Sequence, residues 1–246
     1  MSDFWTGKRY WLIGASEGLG RALAVEMARA GAEVVVSARN RDRLNDLVAE
    51  IGPNARSVPV DVADADSVTA AAKEVGEIDG MVYLAGVYWP MSARDWKADE
   101  AEAMAQINFL GGLRAAGAVV PDMVARGSGH VVLTGSLSGF RGLPGAIGYG
   151  ASKAGLMYLG ESMQADLRTT GIRVQVANPG FIRTRLTDKN DFSMPFIMEP
   201  DSAARVMLEF MEKGGFKKSF PTLFSWLFRL SQFMPDWLYY RVFGAK

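Results

Sequence analysis

The stretch from Arg9 to Gly20, RYWLIGASEGLG, decides how the rest of the chain reads. Arg9 to Ile13 is a short apolar run and predicts a strand. RALAVEMARAG, after the glycines, places Leu23, Met27 and Ala30 on one helix face and stops at Gly31. Gly14, Gly18 and Gly20 therefore sit between a strand and the helix it feeds. Glycine lets the backbone turn sharply and approach a ligand closely. The helix N-terminus offers unpaired N–H groups and partial positive charge to a pyrophosphate. Gly20 lets the helix pack close to the strand. Strand, glycine turn and helix together are the context in which such a triplet binds a dinucleotide. The alternative is a tight turn that holds nothing.

Outward from this unit the pattern repeats. Glu33–Ser37, Ser57–Val60, Met81–Ala85, His130–Gly135 and Ile172–Ala177 read as strands, with 217–221 as a last one. Residues 41–51, 64–75, 97–125, 150–169 and 201–213 read as helices, and 179–199 as an irregular loop. Short, wholly apolar strands separated by helices predict a parallel sheet covered on both faces. With 246 residues and no linker or repeat, the prediction is one doubly wound α/β domain.

Composition removes several functions. Lys and Arg total 27 and Asp and Glu 27, so no cationic groove for nucleic acid is expected. The chain has no cysteine and one histidine, His130, which excludes disulfides, thiolate catalysis and a multi-histidine metal site. His130 follows Gly-Ser-Gly and reads as a loop residue without a catalytic role. The start, MSDFWTGKRYW, lacks the uninterrupted apolar run of a secretory signal, and no window reaches about 18 uncharged apolar residues. The expected location is cytoplasmic.

The glycine spacing is G-x-x-x-G-x-G. With Asn108, Ser136, Tyr149-Gly-Ala-Ser-Lys153, and Pro179-Gly180 with Thr184, in that order and at those separations, the chain resembles the short-chain dehydrogenase/reductase family over about residues 7–215. The resemblance implies a Rossmann-type single-domain sheet flanked by helices, with residues 1–215 as the catalytic, NAD(P)-binding domain. Residues 216–246 then form an aromatic-rich extension packed on that domain or on a partner. It also implies a homodimer or homotetramer built through the helices at 97–125 and 150–169. There, Gly111-Gly112, Ala115-Ala116 and Gly117-Ala118 permit close helix packing.

Tyr149 and Lys153 stand four apart on a predicted helix, so they point the same way. A free tyrosine has a pKa of about 10. A nearby ammonium favours the phenolate and is expected to lower it. Tyr149 can then give a proton to a carbonyl oxygen, or take one from an alcohol. Ser136 lies at the end of a predicted strand, where ligands meet an open α/β sheet, and its hydroxyl can hold the substrate oxygen. Ser138 nearby is either a substrate contact or a turn serine. The resemblance assigns Tyr149 as acid/base, Lys153 as modulator and Ser136 as orienting serine. It implies for Asn108 a water-linked proton relay through Lys153; as a single residue Asn108 also reads as a helix-kinking or capping position.

The cofactor set comprises Gly14, Ser16, Gly18, Leu19, Gly20, Arg39, Asp61, Val62, Ala85, Gly86, Tyr149, Lys153, Pro179, Gly180, Ile182 and Thr184. In NAD enzymes an acidic residue ends the second strand. Here that position holds Ala38, followed by Arg39, whose guanidinium can pair with a 2′-phosphate. NADP(H) is therefore preferred, with NAD(H) left open. Ser37 or Asn40 can add a hydrogen bond, Glu17 weakens the preference, and Arg39 also reads as a solvated helix start. By resemblance, Asp61-Val62 faces the adenine, though Asp61 reads equally as a helix cap. Tyr83-Leu84-Ala85-Gly86 stands where the family has Asn-Asn-Ala-Gly, and Ile13 where it often has threonine. By the same resemblance, Pro179-Gly180 opens the loop over the nicotinamide, and Thr184 stands where the family bonds its carboxamide.

Phe181, Ile182, Leu186, Phe192, Met194, Phe196, Ile197 and Met198 make the closing loop apolar, and Tyr88 and Trp89 follow the fourth strand. A small hydrophobic ketone or aldehyde and its alcohol are the expected substrates. Arg183 and Arg185 leave acyl-CoA or carboxylate substrates open. Ten of the 26 aromatic residues fall between Phe216 and Phe243. That tail packs on its own domain or a partner, lines the substrate entrance, or makes peripheral membrane contact. The function expected is a carbonyl reductase, reversible as an alcohol dehydrogenase. The competing readings are a non-catalytic NADP(H)-binding regulator of the same fold and a protein that acts through its tail at a membrane surface.

Overall fold

The computed structural model describes residues 3–189 and 193–244. Strands β1 (Arg9–Ile13), β2 (Glu33–Ser37), β3 (Ala55–Ser57), β4 (Gly80–Tyr83), β5 (Gly129–Thr134), β6 (Ile172–Pro179) and β7 (Lys217–Phe220) form one sheet in the order β3-β2-β1-β4-β5-β6-β7. Every neighbouring pair is parallel, for example Tyr10 beside Val34 and Gly80. Helices α1 (Gly18–Arg29), α2 (Arg41–Ile51) and α7 (Pro200–Lys213) supply one hydrophobic layer. Helices α3 (Ala65–Val75), α5 (Gly111–Arg126) and α6 (Ile147–Leu167) supply the other. Strand side chains alternate between faces. Tyr10 and Leu12 enter the first layer, Trp11 and Ile13 the second, and all four are fully buried. A strand buried on both sides must be apolar throughout, which is why β1 reads as a continuous run. The strand order reverses between β1 and β4, so their C-terminal ends open a crevice.

Three elements differ from the sequence reading. The third strand lies at Ala55–Ser57 rather than 57–60. Pro59 has no N–H for the ladder, yet Val58 and Val60 still donate to Val36 and Ala38 at 3.0 and 3.1 Å. The helix expected over 97–125 is α4 (Ala98–Ala105), a π turn at Gln106–Leu110, and α5. The tail forms two short helices, α8 (Thr222–Ser231) and α9 (Asp236–Phe243). His130 belongs to β5 and is buried, not in a loop. Its Nε2 meets Gln175 Oε1 at 2.7 Å and its Nδ1 meets the Tyr10 hydroxyl at 2.8 Å. Gln175 uses its NH2 on the carbonyls of Phe210 and Gly215, so its oxygen is the acceptor and His130 carries its proton on Nε2. The small residues at the start of α5 face inward: Gly111, Gly112, Ala115 and Ala116 are buried against the chain's own core.

Candidate active site

The glycine turn is shaped by close approach. Gly14 has φ +96°, and a Cβ there would lie 2.6 Å from Ala85 Cα. A Cβ on Gly20 would collide with the Gly14 carbonyl, so glycine is what lets α1 begin directly behind β1. A Cβ on Gly18 would lie 2.8 Å from the Thr184 methyl, which places Thr184 over the turn. The first turn of α1 holds no acidic residue and no capping side chain. Its N–H groups thus face the crevice at the end of the sheet, a cradle that fits a pyrophosphate. Gly14 and Ala15 donate to the Ser37 carbonyl at 2.7 and 3.1 Å, tying the turn to the end of β2.

At the end of β2, Arg39 is exposed. Ser37 does not support it as expected. Ser37 Oγ accepts from Trp11 Nε1 at 2.7 Å and donates to the Val58 carbonyl, so it is fully used in the core. Asn40 caps α2, accepting from the Arg43 N–H at 2.9 Å. Glu17, read as a mark against a phosphate, is paired with Arg43 and, at 3.3 Å, with Arg185. Arg43 is a cation of this corner that the sequence reading missed; it becomes visible only when α2 meets the glycine turn. Asp61 is not the cap of α3, which is Asp64. Asp61 Oδ1 instead accepts from the Ala63 N–H at 3.0 Å.

Ser136, Tyr149 and Lys153 converge at the end of β5. Ser136 lies two residues past that strand, at the start of a short 3-10 turn, and its Oγ accepts from the Ser138 N–H at 3.2 Å and from the Ser138 hydroxyl at 3.0 Å. Ser138 is therefore a turn serine that orients Ser136. Tyr149 lies in the first turn of α6 and Lys153 one turn later. The Lys153 ammonium is buried and donates to the Thr134 carbonyl at 2.9 Å. It lies 5.8 Å from the Tyr149 ring centroid. Burial lowers the Lys153 pKa to about 8. Burial also pushes the Tyr149 phenol up to about 12, with the Ser136 hydroxyl acting against it. The sequence predicts a phenol lowered by the ammonium; in the structure the phenol is raised, because burial prevails over the bond to Ser136. The ring of Tyr88 stands edge-on to Tyr149, centroids 5.1 Å apart.

Asn108 sits inside the π turn and is buried. Its Oδ1 accepts from the Val87 N–H at 2.8 Å, and its Nδ2 donates to the Val87 carbonyl and the Ser152 hydroxyl, both at 3.0 Å. Ser152 in turn donates to the Tyr149 carbonyl at 2.8 Å. The carboxamide thus fixes the chain after β4 to the turn that carries Tyr149. Ser152 was missed in the sequence, although its spacing of three from Tyr149 put it on the same helical turn. Gly86 lies beside this group: a Cβ there would be 3.5 Å from Asn108 Oδ1 and 3.6 Å from Lys153 Nζ. Ala85 lies against Gly14, Gly86 beside Lys153 and Thr184 over Gly18, while Gly180 packs beside Leu137 and Phe224 and Ile182 is buried in the core layer of α1 and α7.

The loop after β6 folds back over the crevice. Ile182 and Met198 form a parallel bridge, and Arg183 pairs with Glu199 at 2.7 Å. Lys189 donates to the Tyr88 carbonyl at 2.8 Å and lies 4.3 Å over the Trp89 ring. Phe192 lies outside the described residues. The tail reaches this loop. Phe224 of α8 packs on Phe181 and Phe196, centroids 5.9 and 5.5 Å away. The tail therefore both packs on its own chain and meets the closing loop. Among the described residues no group of three or more His, Cys, Asp or Glu is placed to hold a metal.

Known proteins share this arrangement. The family model described as short chain dehydrogenase matches residues 8–193. An uncharacterized oxidoreductase of Myxococcus xanthus is 37% identical over 235 residues, covering 93% of each chain. One from Staphylococcus epidermidis is 31% identical, covering 74% of this chain and 80% of its own. A solved short chain dehydrogenase/reductase family protein superposes with a TM-score of 0.82 at 29% identity, covering 88% of this chain and 96% of that one. An alcohol dehydrogenase from the archaeon Thermococcus sibiricus, complexed with 5-hydroxy-NADP, has a TM-score of 0.76 at 25% identity, covering 87% and 95%. A match over most of the chain, on a sheet that brings the motif residues to one crevice, places this protein in the short-chain dehydrogenase family of nicotinamide-dependent oxidoreductases.

Proposed function

We propose that the protein interconverts a hydrophobic ketone or aldehyde and its alcohol, with NADP(H) as the preferred coenzyme. The observation that carries this reading is Tyr149 and Lys153 one turn apart beside Ser136, with Lys153 held by the Thr134 carbonyl at 2.9 Å. The bound coenzyme supplies or accepts the hydride. Ser136 holds the substrate oxygen. In reduction Tyr149 gives that oxygen its phenol proton, and in oxidation it takes the proton back. The Lys153 ammonium favours the phenolate left behind. Asn108 and Ser152 hold the turn from which Tyr149 projects.

The glycine turn, Ala85-Gly86, Gly180 and Thr184 surround the place where the coenzyme lies. Arg39 and the missing acid at Ala38 support the 2′-phosphate, as does the NADP analogue held by the archaeal relative. Tyr88, Trp89, Phe181 and Phe224 support an apolar substrate. A homodimer or homotetramer through the outer faces of α5 and α6 is part of this reading, with Leu113, Val124 and Tyr158 exposed there. The test is NADPH and NADH consumption against ketones of increasing chain length and ring number, with Tyr149→Phe as control. Turnover that disappears in the variant is the expected result. Tight NADPH binding without turnover on any ketone would favour a non-catalytic regulator.

A further inference from the structure

Helices α8 and α9 each turn one side to the body and the other outward. Phe224, Ser225, Ser231 and Tyr239 are buried. Leu223, Trp226, Leu227 and Leu230, at helical spacing, face out, and Phe233 and Trp237 continue the face at 85% and 70% exposure. Such a contiguous apolar surface on a folded protein marks an interaction site. It is not a frayed end. The Arg141 guanidinium donates to the carbonyls of Ser231 at 2.6 Å and Met234 at 2.7 Å, and pairs with Asp236 at 2.6 Å. It also lies 3.9 Å over the Tyr239 ring, and the Tyr239 hydroxyl donates to the Gly142 carbonyl at 2.7 Å. The body thus holds the outward face in place.

The charges around this face select its occupant. Between Gly214 and Gly244 the chain carries Lys217, Lys218, Arg229 and Arg241, against Asp236 alone. Asp236 is already neutralised by Arg141, and Lys217 pairs with Glu161. Arg229 lies over the Trp226 ring at 4.6 Å, at the border of the apolar stripe. A second copy seated by a two-fold axis would bring two patches of the same net positive charge together. An anionic surface with an apolar interior matches both features at once. No helix of the described residues is long and apolar enough to cross a membrane, and α8 and α9 are far too short to do so.

We infer that the outward face of α8 and α9 docks on the surface of an anionic lipid bilayer. Trp226, Leu227, Leu230, Phe233 and Trp237 enter the boundary between headgroups and acyl chains, while Arg229 and Arg241 meet lipid phosphates. The opposite side of α8 carries Phe224 against the closing loop, so docking sets the mouth of the crevice at the lipid surface. If the proposed carbonyl chemistry holds, the substrate is a carbonyl compound dissolved in that lipid; the docking itself does not depend on that chemistry.

The test is co-sedimentation of the full chain with vesicles of phosphatidylcholine alone and of phosphatidylcholine with phosphatidylglycerol. Binding to the phosphatidylglycerol vesicles is expected, weakened by salt. L227E/L230E, at exposed positions, is expected to lower it by at least about tenfold. A second variant, R229E/R241E, leaves the apolar face intact and is expected to remove the preference for the anionic vesicles. Circular dichroism and NADPH binding check that both variants are folded. No pelleting of the wild type with either vesicle would overturn the inference. So would a wild-type oligomer that L227E/L230E dissociates in a sedimentation-velocity run without lipid. Pelleting is read without turnover, so an inactive but lipid-bound protein would sink only the proposed reaction.

Discussion

The Tyr83 hydroxyl, at the end of β4, donates to the Ile107 carbonyl at 2.5 Å, inside the π turn that carries Asn108. The π turn bonds the Gly111 N–H to the Gln106 carbonyl, and Tyr83 takes up the Ile107 carbonyl. A Cβ on Gly111 would collide with the Tyr83 hydroxyl, and one on Gly112 would lie 3.3 Å from its ring. Tyr83 stands where the resemblance leads one to expect asparagine, and it supports the turn in another way. Tyr83→Phe keeps the ring and removes the donor, leaving a buried carbonyl unpaired. Stability in urea is expected to fall by about 1–3 kcal/mol. If Asn108 loses its placement, kcat falls several-fold while the NADPH Kd stays near the wild-type value.

The pH profile of ketone reduction follows from two groups. Tyr149, pushed up to about 12, keeps its proton across the usable range. Lys153, lowered to about 8 by burial, loses its charge within that range. The expected log kcat/KM is flat below about pH 8 and falls above it. In Lys153→Arg the guanidinium stays charged, so the falling limb should disappear even if the rate is lower throughout. A limb that persists in that variant would assign it to another group.

The proposed preference for NADP(H) rests on Arg39. Arg39→Glu is expected to weaken NADPH binding by about 10- to 100-fold, the range of a charge-assisted hydrogen bond, and to improve NADH binding. Fluorescence titration with both coenzymes reads the change. Equal loss for both would show that Arg39 does not face the 2′-phosphate.

Gly20→Ala places a methyl against the Gly14 carbonyl. Either α1 moves away from β1 or the turn opens. The expected cost is about 1–3 kcal/mol in thermal or urea unfolding, with a larger loss in coenzyme affinity than in fold.

Acid stability should report His130. Burial lowers its pKa from 6.5 to about 3 in the folded chain. Below pH 6.5 the unfolded chain binds a proton that the folded chain refuses, so stability falls as pH drops, by up to about 1.4 kcal/mol per unit, until about pH 3. Urea midpoints measured between pH 8 and 4 check this. His130→Gln should flatten that part of the curve while lowering stability at neutral pH through lost bonds to Tyr10 and Gln175.

The repeating strand–helix pattern, the glycine turn and the positions of Ser136, Tyr149 and Lys153 were legible because each depends on local chemistry. Strand β1 must be apolar on both faces, Gly14 must turn, and residues four apart on one helix must point together. Ser37 was misjudged because its side chain has several partners within reach of the backbone. Only packing decided that Ser37 serves Trp11 and Val58.

The sequence alone determined the alternation of strands and helices and the glycine turn, and it put Ser136, Tyr149 and Lys153 near the end of the fifth strand, since periodicity and backbone constraints act over a few residues. Tertiary structure decided what no local rule contains. It set Tyr83 under the π turn, joined Asn108 to Ser152, and paired Glu17 with two arginines. It also drove the Tyr149 and Lys153 pKa values apart from their free values, and held the apolar face of α8 and α9 outward through Arg141. Each of these arises where segments distant in the chain meet, because burial and partner choice are properties of the packed whole.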